Sequence, residues 1–119
     1  KDRSPYHWSR VGEDEIDHPV REMIKALSNF YDIIVLSGRD AVCRKETEEW
    51  LNLHGVPFKE LWMRPENDQR KDTVVKDEIY EQKIKGRYNV LLIADDRQSV
   101  VDMWRSKGMK VAQVAEGDF

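Results

Sequence analysis

Asp95 and Asp96 stand side by side at the carboxyl end of the apolar run Val90-Leu91-Leu92-Ile93-Ala94. Open α/β sheets put their ligands at that end of their strands. Two adjacent carboxylates released from a buried strand concentrate negative charge, which is costly unless a cation, a proton or backbone donors offset it. A divalent-metal site is one reading. The other is that one of the two aspartates caps a helix beginning near Arg97-Gln98-Ser99-Val100-Val101, since Asp is a favoured N-cap. The pair alone supports either.

Ser37, Gly38 and Arg39 follow a second apolar block, Ile33-Ile34-Val35-Leu36. A hydroxyl, a guanidinium and a glycine that permits close backbone approach suit a tetrahedral oxyanion such as phosphate. The competing reading is a strand-to-helix turn chosen for its backbone. Lys76 lies one helical turn beyond Asp72, where an acid can orient a lysine that neutralises a transferring group; alone it reads as a surface lysine. Arg3 sits in the proline-containing, aromatic-flanked stretch Arg3-Ser4-Pro5-Tyr6-His7-Trp8, and Glu13-Asp14-Glu15 reads as a solvated acidic loop. His7, His18 and His54 lack metal-ligand spacing and an evident serine or cysteine partner, which argues against a histidine-based hydrolase. No G-x-x-x-x-G-K-[ST] is present, so a P-loop kinase is excluded.

These groups need a scaffold that brings strand ends together. Val20, Met23, Ile24 and Leu27 recur at helical spacing, with Asp17 as N-cap and Pro19 in the first turn. The block 33–36 reads as a buried parallel strand ending at Ser37-Gly38. A second helix is predicted over Val42 to Leu53, with Trp50 and Leu53 facing inward, ending near His54-Gly55. A weaker strand is predicted over 58–63 and a loop over 64–70. A third helix starts at Asp72 with Val75 and Ile79 on one face; Val90 to Ala94 is the clearest strand. A fourth helix carries Val100, Val101 and Trp104 and stops at Lys107-Gly108. Val111 to Val114 forms a last strand. Strands alternate with helices, which predicts an α/β layered domain with a mostly parallel sheet. Its strand ends share one edge, so Ser37 and the Asp95-Asp96 pair are expected to face one crevice.

The 119 residues suit one domain, with 39% hydrophobic and 36% charged residues and no apolar stretch able to span a bilayer. No secretory signal is apparent. Cys43 is the sole cysteine, which removes an internal disulfide and a cysteine-based zinc site; a reducing, cytoplasmic setting is expected. A net charge of -3 argues against coating duplex nucleic acid, while an enzyme gripping one terminal phosphate with a few local cations remains compatible.

Three segments in order, Ile33 to Arg39, Arg70 to Lys76 and Leu92 to Arg97, resemble the haloacid dehalogenase superfamily of phosphotransferases. More closely, the chain is similar to the 3′-phosphatase domain of phage-type polynucleotide kinase/phosphatase. Arg3 to Tyr6, Val101 to Arg105 and Glu116 to Phe119 extend that similarity over essentially the whole chain. The resemblance implies a three-layer Rossmann-like (HAD-like) fold over residues 1–119. It assigns Ser37, Gly38, Arg39 and Arg3 to the substrate phosphate, Lys76 to the third motif with Asp72 supporting it, and Asp95 and Asp96 to Mg²⁺. The implied reaction removes the 3′-phosphate of a DNA or RNA end through an aspartyl-phosphate intermediate.

The family's first motif, an apolar strand ending in Asp-x-Asp-Gly-Thr, is expected shortly before Arg3. It supplies the nucleophile, the general acid/base and a metal ligand. The chain as it stands is therefore expected to show no turnover alone and to belong to a longer protein, with an upstream kinase domain compatible. Without that strand the sheet is expected to be split. Two alternatives stay open: a related phosphatase of nucleotides or other small phosphomonoesters, and a non-catalytic HAD-like module that binds nucleic-acid ends or a partner protein.

Overall fold

The computed structural model describes residues 17–117. They divide between Gln69 and Arg70 into two compact units.

In the first unit, α1 (His18–Leu27) begins where expected. The Asp17 carboxylate accepts the Val20 amide hydrogen at 3.2 Å, and Pro19 occupies the first turn. Strand β1 (Ile34–Asp40) runs parallel to β2 (Glu60–Arg64). Register holds from Ile34 opposite Glu60 to Ser37 opposite Met63, then jumps so that Asp40 lies opposite Arg64. Gly38 and Arg39 are thus extra residues in a bulge. The strand does not stop at Ser37-Gly38, because Asp40 re-enters the ladder beyond them.

A 3₁₀ turn (Ala41–Cys43) leads into α2 (Arg44–Leu53). The prediction for α2's inward face needs a correction: Leu51 is buried whereas Leu53 is 78% exposed. Cys43, Thr47 and Leu51 repeat at intervals of four and point into the core, which turns Leu53 to solvent. Trp50 packs half-buried against the same core, which joins Cys43, Leu51, Val56, Leu61 and Met63. Gly55 ends the helix at φ +68, a conformation that favours glycine, and the Val56 amide donates to the Leu51 carbonyl at 2.9 Å.

In the second unit, α3 (Asp72–Ile79) buries Val75 and Ile79 as its spacing predicts. It continues into a π-helical turn (Tyr80–Ile84). Strand β3 is confined to Ile93–Asp95 and pairs in parallel with β4 (Val111–Gln113). The expected strand 90–94 is therefore shorter and shifted toward the acids. β4 offers only three residues to pair with, and Leu91 and Leu92 are left 63% and 40% exposed. Helix α4 (Gln98–Ser106) buries Val100, Val101 and Trp104 completely or nearly so. Strands and helices alternate and every ladder is parallel, as expected. Among the described residues the ladders are two two-stranded sheets, β1-β2 and β3-β4. Among these residues no helix is long and apolar enough to cross a membrane.

Lys107, just past α4, ties that helix to α3. Its ammonium lies 2.8 Å from Asp77 and 3.0 Å from Glu81, and 5.6 Å from the centre of the Tyr80 ring. The hydrogen bond to Asp77 chiefly, with that to Glu81, raises the Lys107 pKa; the hydrogen bonds from Lys107 and then Lys85 lower that of Glu81. The Glu81 contribution to stability is thus present above the ordinary glutamate range and lost as pH falls through its lowered value. That of Lys107 is complete below the ordinary lysine range and lost as pH rises through its raised value.

Two outcomes follow. Denaturant titrations at acid and alkaline pH should show a shallower pH dependence for Lys107→Met than for the unmodified protein. Leu51→Ala should lower the unfolding free energy by about 2–5 kcal/mol, whereas Leu53→Ala should change it by less than about 0.5 kcal/mol.

Candidate active site

Lys76 projects from the apolar face of α3, which leaves it only 8% exposed. A buried ammonium requires carboxylate partners. It has two: Asp72, one turn earlier at 3.6 Å, and Asp95, at the end of β3, at 3.4 Å. All three side chains are 11–13% exposed. Asp72 lies in the first turn of α3, where a carboxylate meets the positive end of the helix dipole, and the Arg97 guanidinium approaches it at 3.8 Å. The pairing of Asp72 with Lys76 was expected from spacing; Arg97 as a further partner was not.

The two adjacent aspartates have different surroundings. Asp95 turns one oxygen to Lys76, and the other accepts the amide hydrogens of Asp96 at 2.8 Å and Arg97 at 3.4 Å. Asp96 is exposed, and among the described residues no hydrogen bond or ion pair engages its carboxylate. Neither aspartate is the N-cap of α4; that position is Arg97, which makes no side-chain cap bond. Among the described residues no group of three or more His, Cys, Asp or Glu side chains surrounds a metal-sized space. Mg²⁺ typically takes one or two carboxylates and fills its remaining positions with water and phosphate oxygens. The uncommitted Asp96 carboxylate fits one such ligand; Asp95 is committed to Lys76.

Ser37, Gly38 and Arg39 lie together in the β1 bulge of the first unit. The Ser37 hydroxyl oxygen accepts the Arg39 amide hydrogen at 3.1 Å. Two groups that sequence reasoning missed pin the bulge. Arg64 donates to the Gly38 carbonyl at 2.7 Å and to the Asp68 carbonyl at 3.2 Å. Asp40, buried, accepts the Val42 amide at 2.8 Å and the Asn67 amide at 3.0 Å. The Asp40 role had a local signal, an aspartate immediately before the next helical segment that accepts the amide two residues on. Arg64 had none, since its target is 26 positions away. Arg3 falls outside the described residues.

A bulged parallel strand in the first unit and, in the second, a parallel strand that ends in an acidic pair beside a buried lysine are features of an α/β protein with parallel strands. The comparisons narrow this. All 119 residues match the family model of the polynucleotide kinase PNKP phosphatase domain, and the chain belongs to that family. It is 36% identical over 107 residues to a protein described as a bifunctional polynucleotide kinase/RNA ligase of Autographa californica nuclear polyhedrosis virus. That alignment takes in 87% of this chain and 15% of the relative. Two solved structures of a Pnkp1/Rnl/Hen1 complex, one of them titled an RNA repair complex, contain a chain 38% identical to this one, with TM-scores of 0.95 and 0.96. Each match covers 99% of this chain and 39% or 41% of the other. The chain thus spans less than half of these relatives.

Lys76→Met should expose the cost of the ion cluster. With the ammonium gone, Asp72 and Asp95 keep their burial without their shared cation, and unfolding in urea should show a loss of about 3 kcal/mol. Asp96→Asn should stay within about 0.5 kcal/mol of the unmodified protein.

Proposed function

We propose that the chain is the phosphatase domain of a nucleic-acid end-repair protein, removing the 3′-phosphate from an RNA or DNA end. The observation that carries this reading is the buried Asp72-Lys76-Asp95 cluster with the uncommitted Asp96 carboxylate beside it, in a chain matched along its whole length by a PNKP phosphatase family.

The surroundings of Lys76, Ser37 and Asp96 support a role for each. Lys76, held by two carboxylates in a poorly hydrated setting, presents positive charge without having to reorganise when charge builds on the phosphoryl oxygens. Ser37 has its oxygen oriented by the Arg39 amide, which leaves the hydroxyl hydrogen to donate to a phosphate oxygen. The Arg39 guanidinium supplies charge-assisted hydrogen bonds to the same group, and Arg3 is assigned to it as well. Asp96 is the residue that would hold Mg²⁺, with Asp95 serving Lys76. When bound, the cation would neutralise charge on the phosphoryl group.

The nucleophile has to come from elsewhere. Asp95 is paired with Lys76, and Asp32 precedes β1, at the end of the strand opposite Ser37, where it pairs with Lys59 at 3.3 Å. An aspartyl-phosphate route therefore calls on a carboxylate outside β1 to β4. The same reading carries the three-layer Rossmann-like architecture as its scaffold.

The protein at its natural length should release phosphate from a 3′-phosphorylated oligonucleotide only when Mg²⁺ is supplied, with RNA and DNA compared in parallel. Ser37→Ala and Asp96→Asn should each lower turnover by about 100-fold or more while thermal unfolding stays unchanged. No release by the unmodified, folded protein would refute the proposal; equal turnover of 3′-mononucleotides would make it a small-phosphomonoester phosphatase instead.

A further inference from the structure

The two extra residues of the β1 bulge are held by contacts that go beyond support of the strand. We infer that Arg64 is a positioning residue for substrate phosphate, acting through the Gly38-Arg39 peptide on the hydroxyl of Ser37. This rests on the reading of Ser37 as a phosphate ligand.

The Arg64 Nε–H donates to the Gly38 carbonyl at 2.7 Å, while Nη1 of the same guanidinium donates to the Asp68 carbonyl at 3.2 Å. One planar fork therefore grips the bulge and the turn after β2 at once. That turn is itself fixed: the Asp68 amide returns to the Pro65 carbonyl at 3.1 Å, and Asn67, in the left-handed region at φ 64, donates its amide to Asp40 at 3.0 Å. Arg64 thus has a rigid footing from which to hold Gly38.

The Gly38-Arg39 peptide is trans and planar, so its C=O and N–H point in opposite directions. Fixing the Gly38 carbonyl toward Arg64 sends the Arg39 amide hydrogen the other way, into the Ser37 oxygen at 3.1 Å. A hydroxyl has two acceptor lone pairs and one hydrogen. With one lone pair taken by the amide, the O–H is turned away from it and is left to donate. The positive guanidinium also polarises the peptide, which strengthens the Arg39 amide as a donor. The series Arg64, Gly38 carbonyl, Arg39 amide, Ser37 hydroxyl thus converts a bond on one side of the bulge into the direction of a proton on the other. A lysine at position 64 would keep the charge without the fork that holds two carbonyls together.

The test follows the Arg39 amide resonance by NMR and the affinity for inorganic phosphate, in the protein at its natural length. In the unmodified protein, added phosphate should shift the Gly38 and Arg39 amides; if it binds nothing there, the reading of Ser37 as a phosphate ligand falls, and this inference with it. If it binds, the decision passes to the variants. Arg64→Ala should displace the Arg39 amide resonance before any phosphate is added and weaken phosphate binding about tenfold or more. Added guanidinium ion should restore both readouts, which repair of the general fold would not explain. Arg64→Lys, which decides the matter if the alanine variant does not fold, should show the same two losses. Ser37→Ala combined with either variant should weaken binding less than the sum of the separate effects, because the groups act in series. Wild-type affinity and an unmoved Arg39 amide in Arg64→Lys, or strictly additive losses, would overturn the assignment.

Discussion

The placement of Lys76 is the constraint on which the second unit of this protein depends. An ammonium that is nine-tenths buried is tolerable only between carboxylates, and the two it uses come from different elements, Asp72 from the start of α3 and Asp95 from the end of β3. The cluster therefore fixes how α3 is rotated against the strand. It also decides which of two neighbouring aspartates is occupied: drawing Asp95 inward leaves Asp96, the next residue along, turned to solvent with its carboxylate uncommitted. Under the proposed function, structure and chemistry would share this one cation.

The first unit solves a different problem. A parallel ladder gives regular spacing but little freedom to present a chosen side chain, and the bulge at Gly38 and Arg39 supplies that freedom. Its irregular backbone needs hydrogen-bond partners from outside the ladder. Arg64 provides one at the Gly38 carbonyl, while Asp40, where the ladder resumes, holds the turns beside the bulge through the amides of Val42 and Asn67. The half-buried Ser37 hydroxyl and the Gly38 carbonyl are thereby each tied to a hydrogen-bond partner.

Much of this was legible in the residues themselves. The helical spacing of Val75 and Ile79, and of Val100, Val101 and Trp104, placed α3 and α4 and their buried faces; Asp17, Gly55 and Gly108 marked helix ends by local stereochemistry. The i, i+4 pairing of Asp72 with Lys76 was visible for the same reason. Features set by distant partners were not. Leu53 looked core-facing until the start of α2 was known to follow a 3₁₀ turn, and the apolar Leu91 and Leu92 look like strand residues although the ladder with β4 reaches only three residues. The difference between Asp95 and Asp96 has no local signature either, since it depends on a lysine 19 positions away.

The two lysine clusters of the second unit differ in how water and dissolved ions reach them. Lys76 and its carboxylates are largely shielded, whereas the groups around Lys107 are a quarter to two-fifths exposed. Mobile counterions screen exposed pairs at physiological ionic strength and reach buried ones far less. A change in salt thus loosens the tie between α3 and α4 before it touches the charges around Lys76. The electrostatics assigned to chemistry are insulated from the ionic composition of the medium, while the electrostatics that merely fasten helices remain subject to it.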